Sequence, residues 1–131
     1  MTKLHHLALG ARDLERVAAF YRDLLGLREV SRHQESGGPL RSIWLDLDGP
    51  VLMIERTEEP ARLVQGVGAG PFLLALAASP SERGLLEKSL GASGFPVDSR
   101  TKHTIYFRDP EGNRVAISSY PLRGVHKETT E

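Results

Sequence analysis

Two adjacent imidazoles, His5 and His6, stand seven residues or so ahead of Asp13, and a carboxylate, Glu55, closes the apolar stretch from Val51. A histidine is suited to metal ligation, to hydrogen bonding a guest or to proton transfer near neutral pH. A glutamate in apolar company is suited to act as a general base or to hold a cation. The acidic run Asp109-Pro110-Glu111-Gly112 has the composition of a turn, in which Asp receives backbone hydrogen bonds and Gly takes the left-handed conformation. The chain has no cysteine, which excludes disulfides, thiolate nucleophiles and Cys-based metal sites. No Ser-His-Asp set, nucleophile elbow or Walker loop is present.

The elements that must position these residues fit in one domain. The chain has 131 residues, 40% of them hydrophobic and 26% charged, a globular composition. Seventeen basic residues balance seventeen acidic ones, so no net field collects phosphates or anionic lipid, and neither nucleic acid nor membrane is an expected partner. The longest apolar run, Phe72 to Ala78, is far short of the roughly 20 residues of a membrane helix, and no signal-peptide core stands at the N-terminus. A cytoplasmic location is expected.

Residues 4 to 9 read as a buried strand. Asp13 caps a helix expected over about 14 to 25, with apolar residues at helical spacing and Gly26 as its left-handed terminus. Segments 41 to 47 and 51 to 55 flank Asp48-Gly49 as a hairpin. That turn places Leu45 opposite Leu52, Trp44 opposite Met53 and Ser42 opposite Glu55. Ile43, Leu45, Leu52 and Ile54 then face the helix, and Ser42, Trp44, Met53 and Glu55 face the other way.

Segment 57 to 70, with Pro60 and three glycines, reads as a linker without packing. The plan then repeats. A strand from Phe72 to Ala78 leads into Ser79-Pro80-Ser81-Glu82, a capping box with Pro at the first helical position. A helix to Gly91 follows, then a hairpin around residues 109 to 113. Matching features lie at near-constant offsets: Asp13 to Ser79 is 66 residues, Gly26 to Gly91 is 65 and Gly49 to Gly112 is 63. The chain is therefore an internal duplication, and each half is too small to bury its own sheet face. His5 and His103 fall on helix-facing positions and are expected to be structural.

Leu4-His5-His6-Leu7, Ala19-Phe20-Tyr21 through Leu25-Gly26-Leu27, and Ile105 to Val115 resemble the vicinal oxygen chelate superfamily, which includes glyoxalase I, bleomycin and fosfomycin resistance proteins and extradiol dioxygenases. The resemblance spans about residues 4 to 121. It implies an α+β fold of two tandem βαβββ modules forming a curled mixed sheet around a cavity, as a homodimer. The expected single domain covers 1-121, with module one about 3-56, the linker about 57-70, module two about 71-121 and a polar tail at 122-131.

The resemblance also implies up to four inward metal ligands. The first, a His seven residues before the capping Asp, falls on His6. The last, a Glu four residues beyond the turn glycine, falls on Ala116. The carboxylate of the first hairpin falls on Met53, or on Glu55 if the strand shifts by one inward step. The ligand opening the second module falls on Phe72, with Pro71 as its one-residue alternative. Most of the donors are thus replaced by carbon, and the leading expectation is a metal-independent small-molecule-binding protein without a cofactor, similar to bleomycin-type sequestering proteins. Its site is expected to comprise His6, Trp44, Met53, Glu55, Phe72, Thr104, Tyr106, Ala116 and Ser118. One alternative is a lyase, isomerase or dioxygenase holding Zn, Ni, Mn or Fe through His6 and Glu55, with water or a residue from a partner subunit. The other is a cofactor-free enzyme with Glu55 or His6 as base.

Overall fold

The structure, a computed structural model, describes residues 1–122. Module one runs β1 (His6–Ala11), α1 (Leu14–Ala19), β2 (Glu29–Gln34), β3 (Leu40–Asp46) and β4 (Val51–Arg56). Module two repeats it as β5 (Leu74–Ala77), α2 (Pro80–Ala92), β6 (Ser99–Arg100), β7 (Thr104–Arg108) and β8 (Arg114–Ser118). The sheets have equivalent orders, β1-β4-β3-β2 and β5-β8-β7-β6, each with its first strand parallel to its neighbour and the rest antiparallel. This is the expected pair of βαβββ modules in an α+β fold. The sheets are separate, however, and do not close around a cavity within the chain.

The first hairpin adopts the expected register, with Trp44 opposite Met53 and Ser42 opposite Glu55, and the second sets Tyr106 opposite Ala116 and Thr104 opposite Ser118. Asp48 and Gly49, at φ 65° and 117°, supply the left-handed pair that a two-residue hairpin turn requires. The first helix departs from expectation. After Leu14–Ala19 the chain widens into a π-helical turn, Phe20–Leu24, before Gly26 ends it at φ 80°. The wider turn buries Phe20 and Tyr21 together. Phe20 then meets Phe95 edge-on at 4.8 Å, and the Tyr21 hydroxyl donates to Asp109 Oδ2 at 2.7 Å. These contacts join the two modules on their helical side, where Ile43, Leu45, Leu52, Ile54, Ile105, Phe107, Val115 and Ile117 complete one core. Burial of the Tyr21 phenol, with the Asp109 carboxylate beside it, raises its pKa well above the ordinary tyrosine value.

Other expectations are corrected. The helix expected to end at Gly91 continues to Ala92, and the left-handed terminus is Gly94, at φ 89°. β5 starts at Leu74, leaving Phe72 outside the strand. The polar segment 29–34, to which the residues alone gave no element, is the strand that the βαβββ plan implies, with every second residue half-buried. Segment 57–70 is not free of packing: Arg108 Nη2 donates to the Val64 carbonyl at 2.8 Å, which draws the connector across sheet two. The tail lies, apart from Leu122, outside the described residues. No helix among the described residues is long and apolar enough to cross a membrane.

Candidate functional site

Each sheet turns one face to the helical core and leaves the other open. The open face of sheet one follows from strand parity: His6, Ala8 and Gly10 from β1, Met53 and Glu55 from β4, Ser42 and Trp44 from β3, Ser31 and His33 from β2. His6, Ala8 and Gly10 are exposed, and Met53, Glu55 and Trp44 are half-buried. The Trp44 ring is held from two sides. Its indole N–H donates to Ser42 Oγ at 3.1 Å, and the His33 ring lies 4.3 Å from it at 43°. Ser31 Oγ and His33 Nε2 are 3.0 Å apart, fixing that imidazole in turn. His6 Nδ1 lies 2.9 Å from His5 Nδ1, and His5, exposed just ahead of β1, is not the helix-facing residue that alternation predicted.

Sheet two presents Ala75 and Ala77 from β5, Thr104, Tyr106 and Arg108 from β7, and Arg114, Ala116 and Ser118 from β8. Thr104 and Ser118 share a hydroxyl hydrogen bond of 2.7 Å, which uses donor capacity a ligand would need. Arg114 pairs with Asp98 and lies 5.4 Å above the Tyr106 ring. Phe72 and Tyr106 do converge, together with Gln65, Val67 and Leu73, on a cavity of about 250 Å³. The wall formed by Gln65, Gly66 and Val67 comes from the connector, which covers the Tyr106 part of this face and leaves Ala75 and Ala77 exposed. Ala116, on this face, is completely buried.

The implied donor positions can now be compared in space. The parallel registers set Ala8 beside Met53 and Ala75 beside Ala116, so Met53 and Ala116 are equivalent in the two modules. Stepping back two residues makes Leu73 the counterpart of His6, in place of Phe72 or Pro71. The four positions are therefore His6, Met53, Leu73 and Ala116, with one imidazole and one thioether among them. Hard and borderline divalent cations take several N or O donors, and this set does not fit them. Nor does the pair His6 and Glu55. β1 and β4 place Glu55 beside Gly10 and Val51 beside His6, four residues apart, or about 13 Å along a strand, beyond the reach of a single ion. Among the described residues no group of three or more His, Cys, Asp or Glu comes together as a metal would require.

Sequence reasoning missed His33, Ser31, Leu73, Arg108 and the strap. The first two were legible only to a reading of 29–34 as a strand, in which Ser31 and His33 share a parity. The turn Asp109–Asn113 is structural as expected. Asp109 is buried and accepts from the backbone N–H groups of Glu111 and Asn113 and from the Asn113 amide. Burial opposes ionisation of Glu111, but the guanidinium of Arg12, 2.7 Å away, outweighs it and holds that carboxyl below its usual range.

Comparison with known proteins agrees with this architecture. The model of the Glyoxalase/Bleomycin resistance protein/Dioxygenase superfamily matches residues 3–117. No curated protein matches significantly. Among solved structures, the fosfomycin resistance protein FosX from Mesorhizobium loti superposes with TM-score 0.76 at 19% identity, covering 97% of this chain and 98% of its own. Lactoylglutathione lyase from Agrobacterium tumefaciens gives 0.67 at 23%, covering 90% and 93%. TioX from Micromonospora sp. ML1 gives 0.64 at 20%, covering 92% and 100%. These likenesses concern the fold alone; the family match over residues 3–117 shows that the chain belongs to the Glyoxalase/Bleomycin resistance protein/Dioxygenase superfamily.

Proposed function

We propose that this protein binds a small organic molecule without a metal, in the manner of a sequestering protein, on the open face of its sheets. The observation that carries the reading is the donor set: His6 has Met53, Leu73 and Ala116 at the positions where its family would place further ligands. An aromatic side chain held in place, with a few polar anchors, suffices for micromolar affinity, about 8 kcal/mol. The working form is a homodimer. β1 and β5 are edge strands, and the exposed His6, Ala8, Ala75 and Ala77 line faces that the chain itself leaves unclosed, which a second copy would cover. Sedimentation is expected to give twice the 14.4 kDa of one chain; a monomer would confine the site to one chain.

The reading is tested by a thermal-shift screen of small organic molecules against protein held in excess chelator. Stabilising compounds are expected whose effect is unchanged when zinc, manganese, nickel or iron replaces the chelator. Stabilisation seen only with an added metal would refute the proposal.

A further inference from the structure

The open face of sheet one also indicates what kind of guest it would take. Of the two faces, sheet two's is covered in part by the connector, with Arg108 engaged on the Val64 and Gly112 carbonyls and Ala116 buried, while Ala75 and Ala77 stay exposed. On sheet one's face His6, Ala8 and Gly10 are exposed and Trp44, Met53 and Glu55 half-buried, while Ser42 is completely buried.

Two carboxylates have the parity of that face, and Asp46 is engaged, accepting from the Asp48 and Gly49 backbone N–H groups and pairing with Arg28. Glu55 is half-buried, and among the described residues it has no hydrogen bond and no ion pair. The nearest cation in sequence, Arg56, has the opposite parity and is occupied, its guanidinium donating to the Leu40 carbonyl at 3.1 Å and pairing with Glu35 and Glu58. A partly desolvated carboxylate without a counter-charge is unfavourable alone and gains most from a cation that arrives with a partner. The residue beside it on β1 is Gly10, so no side chain from that strand stands over the carboxylate.

A flat surface stands within reach. Glu55 is directly opposite Ser42, and Trp44 opposite Met53, which makes Trp44 and Glu55 diagonal neighbours, roughly 7–8 Å apart for such pairs. His33 occupies the β2 flank of the indole and Ser42 fixes its rotation. On its β4 side the half-buried Trp44 stands directly opposite the polarisable Met53. An indole face attracts both a stacked ring and a positive charge.

We propose that sheet one receives a planar cation, with its ring against the β4 flank of Trp44 and its positive nitrogen on the Glu55 carboxylate. The proposal rests on the binding reading above and adds the ligand's class. Trp44 is the sole tryptophan, so its single indole N–H resonance reports on this site alone. In chelator at mildly alkaline pH, the full chain would be titrated with 1-methylquinolinium, with neutral quinoline and with quinoline-4-carboxylate. The cation is expected to shift that resonance and to bind at least tenfold more tightly than either analogue, about 1.4 kcal/mol. Glu55→Gln should reduce its affinity to that of quinoline, and added salt should weaken the cation selectively. Glu55→Gln should melt no lower than the native chain, since among the described residues Glu55 has no hydrogen bond or ion pair to lose. Equal affinity for the three probes would overturn the ligand class while leaving metal-free binding intact, as would an unchanged cation preference in Glu55→Gln. No binding of the cation in chelator also overturns the class, and binding that appears only on adding a metal overturns the underlying reading as well.

Discussion

At the scale of single residues, the side chains that join the modules differ in kind from those that face outward. The Tyr21 hydroxyl reaches the Asp109 carboxylate at 2.7 Å in a buried setting, 88 residues away in sequence. Tyr21→Phe leaves Asp109 with its backbone and Asn113 donors but without the one from module one, and is expected to cost about 1–3 kcal/mol. The check is the urea midpoint at unchanged slope; an unaltered midpoint would mean the hydrogen bond adds nothing net. Sequence spacing could not reveal this bond, because helical periodicity marks Tyr21 only as apolar. On the outward side Trp44, Met53 and Glu55 were legible, because a two-residue turn fixes the register and the register fixes the face.

At the scale of elements, legibility followed local chemistry. The Ser79 capping box, the Asp13 cap and both hairpin turns have side chains that dictate their own backbone, and each forms as the residues imply. The π-helical turn at Phe20–Leu24 was illegible, because what widens the helix there is packing against Phe95 and Phe107 of the other module. Strand β2 was missed for a related reason: its polar residues look like loop until their alternation is set against β3. The connector shows the same limit, since its glycines gave no sign that Arg108 would anchor it. Arg108→Ala should release Val64 and speed tryptic cleavage after the exposed Arg62, followed as the rate of loss of intact chain under native conditions. A rate equal to that of the native protein would show that the strap is held by other contacts.

At the scale of the whole molecule, the duplication predicted two equal modules, and the sheet orders are indeed equivalent. The modules nonetheless meet through their helical sides, an arrangement that repeats in the sequence do not encode. One ion pair across that junction has a pH signature. Arg12 depresses the Glu111 carboxyl, so the stability this pair contributes is present above the ordinary carboxylate range and is lost as pH falls through the lower folded-state value. Acid melting curves are expected to be shallower for Glu111→Gln; identical acid limbs would place the linkage elsewhere.

The whole account depends on the loss of donor atoms around His6, and metal content measures that directly. Protein equilibrated in turn with zinc, manganese, nickel and ferrous iron, then desalted and assayed by mass spectrometry, is predicted to retain far less than one ion per chain, the same in Ala-substituted His6 as in the native form. A stoichiometric ion lost on that substitution would contradict it.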